Sequence, residues 1–211
     1  MRYRLVIFDF DGTLADTFAW FSRVFNEAAV AHGFRQLDET EVDGLRHCDT
    51  REIIGRLRIP ERKLPAMMRF LRERMARDRG EIRLFSGVEA VLRRLAENEV
   101  VLAVVSSNSR ANVEAILGPE LTGLIRYFSC GSSLFGKHTK LQAVRRRARV
   151  EPARTVCIGD ELRDLQAARR AGLPFGAVAW GYAHRDAFAA HEPHAVFMTP
   201  GDIAEWVVGG S

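Results

Sequence analysis

Leu5-Val6-Ile7-Phe8-Asp9-Phe10-Asp11-Gly12-Thr13-Leu14 is an apolar run that ends in two carboxylates. Four consecutive buried-type residues are what a central parallel strand requires, because helices cover both of its faces. Carboxylates do not stabilise such a run, since burying an unpaired charge is costly. Their place is the C-terminal end of the strand, where open α/β sheets bind ligands. Residues two apart on a strand share a face, so Asp9 and Asp11 are expected to converge on one site. Gly12 permits the tight turn that must follow.

Working outward, the remaining 201 of the 211 residues have an ordinary globular composition, with 47% hydrophobic and 27% charged residues over the whole chain. No run is long enough to span a bilayer, and the first apolar run is too short for a signal peptide. Cys48, Cys130 and Cys157 are scattered without metal-ligand or redox spacing, so they read as reduced thiols of a cytoplasmic protein. Cys157 falls in an apolar strand and reads as core. The net charge of +4 raises the question of nucleic acid. The densest basic run, Arg145-Arg146-Arg147-Ala148-Arg149, follows Leu141 and Val144 at helical spacing, which makes it the solvated face of an amphipathic helix. It has no interleaved aromatic residues, so no specific nucleic-acid partner is expected.

Asp16-Thr17 reads as a helix cap before Phe18, Phe21, Val24, Phe25 and Ala28. Ile53, Ile54 and Leu57 predict a short helix that stops before Pro60. Leu64, Met67, Met68, Leu71 and Met75 predict another. From Ser86, read as a cap, helices and strands alternate. Strands are predicted at 100–105, 127–130, 155–158, 175–180 and 195–198. Helices are predicted around Val88–Leu95, Ala111–Leu117 (stopped by Gly118-Pro119), Leu141 and Asp164–Arg170. This alternation predicts an α/β fold: a Rossmann-like parallel sheet with helices on both faces, made of residues 1–14 and 83–211. Residues 15–82 are predicted to form an inserted small α-helical cap domain with its own small core. The Gly209-Gly210-Ser211 tail is expected to fray.

Asp9-Phe10-Asp11-Gly12-Thr13-Leu14 resembles the first motif of the haloacid-dehalogenase-like hydrolase superfamily. Three further segments resemble its other motifs, in order. Val104-Val105-Ser106-Ser107-Asn108 matches the hydroxyl at a strand end; Ser106 aligns best and Ser107 is its neighbour. Gly136-Lys137-His138-Thr139-Lys140 matches the lysine ahead of a helix, and it holds two of the chain's three lysines. Lys137 follows the Gly-Lys pattern of phosphoglycolate-phosphatase-like members, although His138 stands where many relatives have proline. Gly159-Asp160-Glu161-Leu162-Arg163-Asp164 matches the acidic motif, with Glu161 where Ser or Thr is frequent. Phe175–Tyr182 is similar to a late strand and loop of phosphoglycolate phosphatases.

The resemblance implies an Mg²⁺-dependent phosphomonoester hydrolase acting on a small phosphorylated metabolite, phosphoglycolate-like. It assigns Asp9 as the nucleophile that forms an aspartyl-phosphate, Asp11 as acid and base, and Lys137 as charge partner. Ser106, Ser107 and Thr13 would hold the phosphate. Asp9, Asp11 (through its carbonyl) and Asp160 would hold the metal; Asp164 is a ligand in some members and a supporting carboxylate in others, and Glu161 is a further competitor. In the cap, Arg46, Thr50 and Arg51 would set specificity, the arginines by pairing with a substrate carboxylate, while His47 reads as surface. Asp11 disfavours a dehalogenase, which needs no proton on its leaving group. A sugar-phosphate phosphatase, a phosphomutase and a non-catalytic binding protein on the same fold remain alternatives. A monomer or homodimer is expected.

Overall fold

In the computed structural model, residues 1–131 and 136–209 are described. The chain forms β1 (Leu5–Phe8), β2 (Ala15–Asp16), α1 (Phe18–His32), α2 (Val42–Leu45), α3 (Thr50–Arg56), α4 (Leu64–Asp78) and β3 (Arg83–Leu84). There follow α5 (Val88–Glu97), β4 (Val101–Val105), α6 (Arg110–Leu124), β5 (Ile125–Ser129), α7 (Lys137–Ala148) and β6 (Thr155–Gly159). The chain closes with α8 (Leu162–Ala171), β7 (Phe175–Val178), β8 (Ala195–Phe197) and α9 (Pro200–Val208).

Six strands form one parallel sheet in the order β5-β4-β1-β6-β7-β8. β1 is flanked by β4 and β6, with Phe8 aligned to Val104 and Ile158. Its alternation explains the central position. Val6 and Phe8 join one buried cluster with Leu92, Val113, Ile203 and residues of β4 and β6. Leu5 and Ile7 join the other, with Leu141, Val144, Leu165 and Ala168. Thus α5, α6 and α9 cover one face, and α7 and α8 the other. The connections leave β1 toward both sides of the sheet, which opens a crevice at the strand ends.

β2 and β3 pair antiparallel, Ala15 with Leu84 and Asp16 with Arg83. The chain therefore leaves the sheet and returns to it at adjacent positions, with α1–α4 between. Trp20, Val24 and Phe25 of α1 and Leu64, Met67, Leu71 and Met75 of α4 are buried in the same apolar cluster as Phe8 and Leu92. The core of this helical segment is continuous with that of the sheet face below it.

The local expectations differ from the structure in a few places. Thr17 does cap α1 by position, but its hydroxyl bonds to the Tyr182 hydroxyl (2.9 Å) and not to the helix. Gly87, at φ +90°, precedes α5 in place of Ser86; a left-handed residue is needed there and serine resists it. The stop expected at Gly118-Pro119 is present, and α6 comprises two helices joined across a kink there. Gly118 (φ +74°, ψ +166°) turns the axis, and Pro119 restarts the helix, where its missing N–H costs nothing. Asp49 caps α3 by accepting from the Arg51 and Glu52 amides, while Glu52 accepts from the Asp49 amide, a reciprocal box that the sequence reading passed over. Cys48 and Cys157 are buried free thiols, and burial pushes Cys157 up to about 12. Among the described residues no helix is long and apolar enough to cross a membrane. The fraying expected at residues 210 and 211 lies outside the described residues.

Candidate active site

The site lies where β1, β4 and β6 end together. Asp9 extends β1 by donating its amide to the Ile158 carbonyl (2.8 Å). Then Gly12, at φ +77°, reverses the chain, and the amides of Thr13, Leu14 and Ala15 all converge on the Phe10 carbonyl. Asp9 and Asp11 share the site but turn to different partners. Asp9 Oδ1 pairs with Lys137 Nζ at 2.9 Å, whereas Asp9 Oδ2 is buried with no hydrogen-bond partner among the described residues. Asp11 accepts from Asn108 Nδ2 (3.2 and 3.3 Å) and from Ser106 Oγ at the outer limit of 3.5 Å.

Lys137 begins α7 and reaches two carboxylates at once, Asp9 and Asp164 (2.8 Å). Burial alone would lower its pKa, but the Asp164 and Asp9 charges outweigh burial and raise it. The same pairing, with help from Arg163, holds Asp164 below the usual carboxylate range although burial opposes it. Asp164 Oδ2 also accepts the Glu161 amide (3.2 Å), so both its oxygens are engaged. Lys140, the other lysine of the segment, donates to the Cys130 carbonyl and is not in the site.

Asp160 ends β6 fully buried. It accepts from Thr13 Oγ1 (2.7 Å) and the Tyr182 amide (2.8 Å). Thr13, expected at the phosphate, therefore spends its one hydroxyl proton on Asp160; a buried carboxylate without donors would be far costlier than a misplaced threonine. Two glycines wall the carboxylate in. A Cβ on Gly12 would stand 2.1 Å from Asp160 Oδ2, and one on Gly181 would stand 2.1 Å from Asp160 Cβ. Trp180 Nε1 donates to the Thr13 carbonyl (3.1 Å), which ties the loop after β7 to the loop after β1.

One oxygen from each of Asp9, Asp160 and Asp164 lies within 4.8 Å of the others, and all three residues are buried. Such an all-oxygen set of buried carboxylates fits a small hard divalent cation. The charge balance points the same way. Burial first, and then neighbouring carboxylates, raise the pKa of Asp160 well above normal, and burial raises those of Asp9 and Glu161 against the pull of Lys137 and Arg163 respectively. Asp11 is pushed up to about 7, by burial and then by the Asp9 charge, with the Asn108 hydrogen bond opposing. The Asp11 carboxylate itself is outside the acidic triple. Glu161, weighed as a competing ligand, instead pairs with Arg163 at 2.6 Å.

A cleft of about 910 Å³ of atom-free space, open to solvent, rises over the site. Asp11, Ser107, Asn108, Thr50, Arg163 and Tyr182 line its polar end. Its other walls come from α1, α3 and α4 and are apolar, including Phe21, Ile53, Met67 and Leu71, except for Arg72 of α4. Ser106 is fully buried below, where its hydroxyl accepts the Asn108 amide (3.0 Å). The Ser107 carbonyl accepts from Arg72 Nε (2.8 Å). Arg46 does not line this cleft. Its guanidinium donates to the carbonyls of Tyr182 (2.9 Å) and Gly181 (3.2 Å) over the Phe18 ring. Arg51 is exposed at the start of α3 and also does not line it. The sequence reading missed Asn108, Tyr182 and Arg163; only the position of Asn108, two residues beyond Ser106, carried a usable signal.

A family described as haloacid dehalogenase-like hydrolase matches residues 6–178. A phosphoglycolate phosphatase of Synechococcus elongatus is 33% identical over 207 residues, covering 96% of each chain. A solved haloacid dehalogenase-like hydrolase of Streptococcus pneumoniae superposes with a TM-score of 0.79 at 17% identity, over 97% of this chain and 98% of the other. The structure of CbbY from Rhodobacter sphaeroides in complex with phosphate superposes with a TM-score of 0.72 at 25% identity, over 95% and 96%. The acidic strand ends, the buried lysine and the crevice between them thus have a family: the chain belongs to the haloacid dehalogenase-like hydrolases.

Proposed function

We propose that this chain is an Mg²⁺-dependent phosphomonoester hydrolase of small phosphorylated metabolites, with phosphoglycolate-like acids as the leading substrate class. The observation that carries the reading is Asp9: one carboxylate oxygen is fixed by Lys137 and the other is buried with no hydrogen-bond partner among the described residues. The full-length similarity to a phosphoglycolate phosphatase supports the substrate class.

In this reading Asp9 Oδ2 attacks phosphorus; the new O–P bond forms as the ester P–O bond breaks, and the departing oxygen takes the proton of Asp11. Water then attacks the aspartyl-phosphate, gives its proton to Asp11, and frees phosphate and Asp9. A pKa of about 7 suits Asp11 to both halves, because it can hold or accept a proton near neutrality. Asn108 keeps its carboxyl in place. Lys137, clamped by Asp164, offsets the repulsion between Asp9 and the incoming phosphate. Ser107 and the amides after β4 hold phosphoryl oxygens, with Ser106 bracing the loop beneath. Asp9, the Asp11 carbonyl and Asp160 would hold Mg²⁺, which when bound supplies positive charge at the transferring group. Residues 15–82 act as a cap that excludes bulk water and contacts the leaving group.

The test is phosphate release from 2-phosphoglycolate and from an aryl phosphate, with Mg²⁺ and with chelator. Release that requires the metal and disappears in Asp9→Asn is expected. Undiminished release by Asp9→Asn would overturn the assignment.

A further inference from the structure

The polar end of the cleft contains a cation that these steps leave unused. Arg163 opens α8, four residues beyond Gly159 and one before Asp164. Glu161 grips its Nη2 at 2.6 Å, while Nε is buried and has no hydrogen-bond partner among the described residues. Opposite it in sequence and element, Thr50 of α3 has a buried hydroxyl that is also without a partner among the described residues. Both residues line the same cleft as Asp11, Ser107 and Asn108. A buried donor left unmatched is destabilising. Arg163 and Thr50, both on the wall of one cleft with Asp11, are therefore suited to a ligand that brings its own acceptor oxygens.

The surroundings select the kind of ligand. A guanidinium is a planar fork that matches a carboxylate, and here one of its edges is already fixed. The adjoining walls, among them Phe21, Ile53 and Met67, are apolar. They screen a charge pair poorly, so a matched anion gains more there than in water, and a neutral group in its place leaves Arg163 unsatisfied. Of the cap arginines, Arg46 is committed to the carbonyls of Gly181 and Tyr182, Arg51 does not line the cleft, and Arg72, which does line it, donates its Nε to the Ser107 carbonyl.

Resting on the phosphomonoesterase reading, we propose that Arg163, assisted by Thr50, is the specificity-determining residue of this site: it selects phosphomonoesters whose leaving group carries a carboxylate. Glu161 is a positioning residue that holds the fork in place. The reading differs from a cap-based one because the discriminating charge stands on the core, beside the metal-binding acids, and so is present whether the helices above are open or closed.

Two measurements on the full chain with Mg²⁺ test this. The first is kcat/KM for 2-phosphoglycolate against ethylene glycol monophosphate, its uncharged counterpart. The second is binding of 3-phosphonopropionate against propylphosphonate, which cannot be hydrolysed. Wild type is expected to favour the acid at least tenfold in both. Arg163→Gln should reduce that preference at least tenfold, chiefly through KM, and Arg163→Lys should restore part of it. Because Arg163→Gln leaves Glu161 without its cation, Glu161→Gln/Arg163→Gln is the second variant, with the same loss expected. A preference unchanged within twofold in both variants overturns the assignment, as does a wild type with no preference. If wild type hydrolyses neither ester but still binds the carboxylated phosphonate through Arg163, the hydrolase reading fails and this one stands.

Discussion

The floor and the roof of the cleft solve opposite problems with opposite materials. On the floor, five carboxylates and two cations are locked by specific partners: Lys137 to Asp9 and Asp164, Arg163 to Glu161, Thr13 and the Tyr182 amide to Asp160, Asn108 to Asp11. In the roof, α1, α3 and α4 present phenylalanine, isoleucine, leucine and methionine, whose contacts are nondirectional and interchangeable. A charged floor fails when one atom moves, whereas an apolar roof fails only when volume is lost. The proposed chemistry therefore resides where tolerance is lowest.

The sharpest way to break this contrast is at Asp9. Asp9→Asn is expected to lower kcat by about 10⁴ or more, with the circular dichroism spectrum unchanged; a loss under tenfold would mean the floor holds no nucleophile there. Lys137→Ala should follow, costing about 10²–10³ in kcat. It also strands two buried carboxylates, so urea titration should show a stability loss of about 3–5 kcal/mol. Gly181→Ala adds only a methyl, but that methyl collides with Asp160. It should cut activity about 10²-fold and raise the Mg²⁺ concentration needed for half-maximal rate; an unaffected metal requirement would place Asp160 outside the metal site.

The pH profile sharpens the comparison further. The raised pKa of Asp11 keeps its proton below about pH 7 and releases it above. With an alkyl phosphate, whose leaving oxygen needs a proton, kcat/KM should fall about tenfold per unit above that point. An aryl phosphate, with a better leaving group, should show a shallower fall, and identical slopes would remove Asp11 as the acid. The smallest effect is expected in the roof. Met67→Ala should cost about 2–4 kcal/mol of stability while changing kcat for an aryl phosphate less than threefold.

What could be read in the sequence follows the same division. Leu5–Phe8 announces a buried strand because the run is short, wholly apolar and stopped at once by two acids and a glycine turn. Lys137 stands out because lysine is scarce in a chain whose other cations are arginine. These residues are recognisable because the chemistry narrows the choice of side chain at each position. The Thr13–Asp160 bond, the Tyr182 amide and the orphaned Nε of Arg163 were not legible, since each depends on segments far apart in the chain and on a loop geometry that no periodicity encodes. Glu161 reads in the sequence as a competitor for the metal and Arg163 carries no signal there, and only the structure reveals them as a pair. In the roof, the stripes of α1 and α4 are plain, but apolar periodicity says nothing of where the packing leaves a gap.

The pairing of β2 with β3 carries a practical corollary. Outgoing and incoming strands side by side make the intervening stretch a cassette, joined to its chassis by two short rungs. A foreign helical cassette with equally close ends could be spliced in without disturbing the sheet, provided it shields the apolar surface around Phe8 and Leu92. Plain deletion would leave that surface wet, so exchange, and not removal, is the route by which new selectivities could be built on this frame.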